Sequence, residues 1–67
     1  MGEEDPVAMA IQKLDDKSRS VVVLRLIDGH STEETAGILG VPVGTVLSRL
    51  ARAQQKLRKL LLPPLGD

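Results

Sequence analysis

The sequence predicts an all-α fold: a small four-helix domain ending in a helix-turn-helix, a winged-helix-like architecture without strands. Three observations predict it. In the last third of the chain Val46, Leu50, Ala53, Leu57 and Leu60 recur at helical spacing. Ahead of them, Ser31-Thr32-Glu33-Glu34 follows the capping-box pattern, and Gly40-Val41-Pro42 supplies a tight turn. Finally, the 67 residues include no Phe, Tyr, Trp or Cys, so the core is built from Leu, Ile, Val, Ala and Met, a set suited to helix packing.

Asp5-Pro6 reads as an N-cap followed by a first-turn proline. A short helix over 6–14 then offers Val7, Ala10, Ile11 and Leu14 to the core. Asp15 and Asp16 form a break and a fresh N-cap. The run 17–28 carries Val21, Val22, Val23, Leu24, Leu26 and Ile27. Three consecutive valines also suit a strand, but no partner strand exists elsewhere and the flanks carry helix punctuation, so a helix is expected. Gly29 fits the left-handed position after its end. Ser31 caps a helix over 32–39 that stops at Gly40, Pro42 opens the last helix in its first turn, and that helix runs to about Leu61. Pro63-Pro64 stops it. Residues 1–5 are expected to be a disordered or appended N-terminus, 6–61 the domain, and 62–67 a C-terminal tail.

Without cysteine there are no disulfides or thiolate metal sites, and a reducing cytoplasm is compatible. His30 is the single histidine, so no histidine-based metal cluster forms within one chain. No apolar run approaches the roughly 20 residues of a membrane span, and the acidic start MGEEDP is unlike a signal peptide. The expectation is a soluble cytoplasmic chain with no cofactor and no membrane partner. Stacking on single-stranded bases needs aromatic side chains, so a nucleic-acid partner would be duplex.

The net charge is zero, yet its distribution is uneven. Residues 1–30 hold four basic and six acidic residues. Residues 31–61 hold Arg49, Arg52, Lys56, Arg58 and Lys59 against Glu33 and Glu34. At about 100° per residue, Thr45, Ser48, Arg49, Arg52, Lys56 and Lys59 fall on the side of the last helix away from its apolar stripe. Hydroxyls and guanidinium groups of this kind match base edges and phosphates. The helix-turn-helix frame makes Thr45, Ser48, Arg49, Arg52 and Lys56 candidate duplex-DNA contacts. An ordinary solvated face is the alternative from periodicity alone. Arg58 lies off the stripe and serves solubility.

The chain resembles the promoter-reading region 4 of bacterial RNA polymerase sigma factors of the extracytoplasmic-function group. The resemblance rests on Gly40-Val41-Pro42-Val43-Gly44-Thr45-Val46, Ser48-Arg49-Leu50 and Arg52-Ala53. Val22-Val23-Leu24-Arg25, Asp28-Gly29-His30-Ser31, Glu33-Glu34 and Ala36 support it. It covers 11–61. It implies that the last helix enters the major groove at the promoter −35 element, with Thr45, Ser48, Arg49 and Arg52 as contacts. Ser31 and Thr32 would offer backbone N–H groups to a phosphate. The implied partners are double-stranded promoter DNA, the β-subunit flap of RNA polymerase core, and an anti-sigma factor. Leu47 and Ala51 depart from the commoner pattern, where a basic and a larger residue stand; Thr35 occupies a usually aliphatic core position and Gly37 a usually charged one. The domain that melts the −10 element has no counterpart in these residues.

Three other readings remain open from the residues. A response-regulator output domain shares the helix-turn-helix but more often continues Thr-Val-Lys-x-His. A sigma-like decoy would keep the shape to capture an anti-sigma factor, and Leu47 and Ala51 suit it. A helical oligomerisation module is the third. Arg25, amid apolar residues, is expected to pair with Glu33 or Glu34. Catalysis is not expected: His30 is the only candidate base, on a short connector, and the carboxylate pairs Asp15-Asp16 and Glu33-Glu34 diverge on a helix.

Overall fold

The computed structural model describes residues 5–61. Asp5 opens the first helix: its carboxylate accepts the Val7 amide at 3.0 Å, and Pro6 follows at the first helical position. This helix, α1 (Pro6–Gln12), ends two residues earlier than expected. The amides of Lys13 and Leu14 bond three residues back, to Ala10 and Ile11 at 3.0 and 3.1 Å, which tightens the last turn. Leu14 is buried nevertheless.

Asp15 has the backbone geometry of a cap for α2 (Asp16–Val22), without a side-chain bond to its amides. Within α2, Arg19 forms an ion pair with Asp16 and donates to the Gln12 carbonyl at 3.3 Å, tying α2 to the end of α1.

The expected α-helix over 17–28 changes character halfway. Residues Val23–Ile27 form a π-helical segment continuous with α2, with the Asp28 amide bonding the Val23 carbonyl at 2.8 Å. An uninterrupted α register would set Arg25 and Asp28 beneath Val21 on the buried face. The wider turn breaks that register. Val21 and Val22 stay fully buried, while Asp28, Leu26 and Ile27 are exposed. Gly29 adopts φ 79° as expected, and the His30 amide bonds the Leu24 carbonyl at 2.9 Å.

Helix α3 (Thr32–Leu39) has the full capping box. The Ser31 hydroxyl accepts the Glu34 amide at 3.0 Å, and the Glu34 carboxylate accepts the Ser31 amide at 2.9 Å. Gly40 ends α3 at φ 70°, and the Val41 amide returns to the Ala36 carbonyl at 3.0 Å. Helix α4 (Val43–Leu61) starts one residue after Pro42, whose carbonyl accepts the Thr45 amide at 3.0 Å. The stop expected at Pro63-Pro64, the tail 62–67 and residues 1–4 of the expected N-terminus lie outside the described residues.

Helix α4 touches α1, α2 and α3 and is the hub of the fold. One core cluster joins Ile11, Leu14, Val22 and Ala53, with Val23, Leu50 and Leu57 against it. A second joins Val21, Ala36 and Val46, with Leu39, Val41 and Leu50 against it. Leu50 belongs to both and links them. Val7 and Leu60, expected in the core, are exposed near the end of the bundle where α1 meets the last turn of α4. Thr35 is fully buried and its hydroxyl has no hydrogen-bond partner.

Candidate nucleic-acid interface

The inner face of α4 is defined by what it buries: Val46 and Ala53 fully, Leu50 and Leu57 in part. These side chains occupy one side of the helix at about 100° per residue. The side opposite carries Gly44, Ser48, Ala51, Arg52, Gln55 and Lys59, all exposed. Thr45 and Arg49 are half-buried on one flank, while Leu47 is exposed on the other. Sequence spacing therefore found the polar stripe but centred it toward the Thr45–Arg49 flank. Gln55, absent from that stripe, lies on the outer face with Ala51, and Leu47 borders it. The direction opposite the buried residues, rather than the grouping of polar ones, brings Gln55 in.

Of the candidate residues, Ser48, Arg52 and Lys56 stand free on the surface of α4, and Thr45 and Arg49 border them. Together they span about 16 Å along the helix, at 1.5 Å per residue. Arg52, Gln55, Lys56 and Lys59 border one shallow depression. From Val43 to Leu61 the helix has five cations and no carboxylate. The first turn of α4 also lacks acidic residues, so the exposed N–H groups of that end meet no competing anion of their own helix.

Ser31 and Thr32 sit on a different element, at the start of α3. In the capping box the Ser31 hydroxyl oxygen accepts the Glu34 amide, and the Ser31 amide donates to the Glu34 carboxylate. What this terminus retains for an anion is the Ser31 O–H and the N–H groups of Thr32 and Glu33, ahead of the first helical bond from Thr35 to Ser31 at 2.9 Å. The Glu34 carboxyl is held below its ordinary value, first by the Ser31 amide and next by the His30 side chain. His30 Nδ1 lies 3.5 Å from that carboxylate.

Arg25 does not pair with Glu33 or Glu34. Its guanidinium donates to the His30 carbonyl at 2.7 Å and so braces the connector ahead of α3, with Nε buried and without a partner. The carbonyl is nearer because the π-helical segment and Gly29 fold the connector back over Arg25. At the head of α2 the Asp15 carboxyl is held below its ordinary value, chiefly by the Ser18 hydroxyl and least by Lys56 of α4. Among the described residues no group of three His, Asp or Glu side chains could hold a metal ion, and no helix is long and apolar enough to cross a membrane. The arrangement offers hydrogen-bond donors and positive charge on one convex helix face.

Comparison with known proteins agrees with this geometry. Residues 4–57 match the family model described as Sigma-70, region 4. The chain is 47% identical over 55 residues to the ECF RNA polymerase sigma factor SigW of Bacillus subtilis, covering 82% of this chain and 29% of that protein. It is 54% identical over 52 residues to the RNA polymerase sigma-E factor of Streptomyces antibioticus, covering 78% and 29%. To the RNA polymerase sigma-H factor of Pseudomonas aeruginosa it is 40% identical over 64 residues, covering 96% and 33%. The chain thus spans about three-tenths of the length of these relatives. The four helices, the capped α3, the glycine turn and a continuous match over most of the chain make it a member of the sigma-70 region 4 family.

Proposed function

We propose that this chain binds duplex DNA at the promoter −35 element through the outer face of α4, as the C-terminal domain of a sigma factor directing RNA polymerase in transcription initiation. One observation carries the reading: α4 has five cations, no carboxylate, and an outer face with no packing duty. A helix of that kind, backed by α1, α2 and α3, fits the major groove. Ser48 and Arg52 are the proposed base-edge contacts, Thr45, Arg49 and Lys56 the flanking phosphate contacts, and the α3 start, through the Ser31 hydroxyl and the Thr32 and Glu33 amides, a further phosphate contact. The reading brings with it RNA polymerase core, through its β-subunit flap, an anti-sigma factor, and a cytoplasmic setting, with residues 6–61 as the functional unit.

The test is an NMR amide-shift titration of the chain with mixed-sequence duplex at low and moderate salt. Shifts gathered on 31–32 and 44–59 that fade as salt rises support the reading. An α4 that stays silent at low salt sinks it. The second reading, a decoy that captures an anti-sigma factor, is favoured by Leu47, 52% exposed on the same helix, and by exposed Ala51. It predicts the silent titration.

A further inference from the structure

The outer face of α4 has an uneven profile. Its midline is short over the first half of the helix: Gly44, Ser48 and Ala51 follow one another ahead of Gln55, and a Cβ added at Gly44 would meet nothing within 4 Å. Two longer side chains rise on either side, Leu47 and Arg52, roughly 140° apart around the axis at about 100° per residue. One shoulder is apolar and the other cationic. Leu47 is 52% exposed beside this midline, next to Ser48. In the major groove thymine alone presents a methyl group, and apolar side chains recognise it.

We infer that Leu47, with the Ala51 methyl one turn on, reads the 5-methyl group of thymine, while Arg52 grips the opposite side of the groove. Leu47 is thereby a specificity-determining residue. The inference rests on the duplex reading proposed above and adds a base preference to it. The low midline lets the helix backbone approach the bases closely enough for a side chain as short as leucine to reach them. Charge favours DNA over a protein as occupant of this shoulder, since the exposed cations Arg52 and Lys59 lie on the same outer face of α4.

The experiment uses the whole 67-residue chain. It first enriches duplexes from a random pool at low salt, and each thymine of the enriched site is then replaced singly by deoxyuridine, which removes only the methyl. The expected result is a loss of about three- to five-fold at one or two neighbouring thymines, the value of one buried methyl-sized group. Leu47→Ala should bind thymine and uracil duplexes equally there while keeping its salt dependence. Tolerance of uracil at every position overturns the inference and leaves the duplex reading intact. So does a thymine preference that survives Leu47→Ala. Failure to enrich any duplex, or binding indifferent to salt, overturns both and points to a protein on this face.

Discussion

Thr35→Val is expected to stabilise the domain. Thr35 is fully buried in α3, its amide already bonded to the Ser31 carbonyl at 2.9 Å, and its hydroxyl has no partner. Burying an unpaired hydroxyl costs about 1–3 kcal/mol by protein mutational data. Valine keeps the branched shape and nearly the same helix propensity, so most of that cost is recovered, about 1–2 kcal/mol. A domain of this length has a total stability of roughly 3–10 kcal/mol, which makes the gain large. At about 4–8 °C per kcal/mol for small domains, the melting temperature should rise by about 5–15 °C. With no Trp or Tyr the melt is followed by far-UV circular dichroism. Thr35→Ser is the companion variant: it keeps the hydroxyl, loses the methyl, and should fall below the parent. A Thr35→Val protein that melts at or below the parent temperature would refute the reasoning, because the hydroxyl must then have a partner in solution.

Arg52→Ala should weaken duplex binding by about 1–3 kcal/mol at one base pair if it reads a guanine edge, with melting unchanged; fluorescence anisotropy on a selected duplex and its single-base variants checks both the loss and its position. Leu50→Ala removes the side chain shared by the two core clusters and should cost about 2–4 kcal/mol, measured by urea melting, even though Leu50 is only partly buried. Gly37→Ala should add about 0.5–1 kcal/mol, because Gly37 lies inside α3 and a methyl there meets nothing within 4 Å. The Glu34 carboxyl has a lowered folded-state pKa, so its contribution is complete above its ordinary titration range and is lost as pH falls through the lowered value. Melting temperatures of the parent and of Glu34→Gln across the acid range should converge at the low end, and parallel curves would show that Glu34 does not link pH to folding.

The helix ends that carry capping residues were legible because such caps depend on near neighbours in the chain. Ser31 with Glu34, Gly40 with its positive φ, and Asp5 with Pro6 each act through side chains or backbone angles a few residues apart. The π-helical segment was not legible: Val23–Ile27 has ordinary helical composition, and its wide turn answers to which side chains the rest of the fold can bury. Arg25 was misread for the same reason, since the His30 carbonyl comes within reach only after the connector folds back. On α4 the amphipathic pattern was legible, but the outward direction of the helix was not. Periodicity separates apolar from polar side chains, whereas the outer face is set by Val46 and Ala53 meeting other helices.

The hub position of α4 separates two kinds of heritable change. Val46, Leu50, Ala53 and Leu57 each hold the other helices together, so drift there is checked by folding before any partner is met. Gly44, Leu47, Ser48, Ala51, Arg52 and Gln55 hold nothing. Substitutions among them leave the scaffold whole and alter only what the surface recognises. A duplicated copy of such a domain can diverge in target while remaining foldable at every intermediate step, because half of one helix is a tablet that the other half keeps in place.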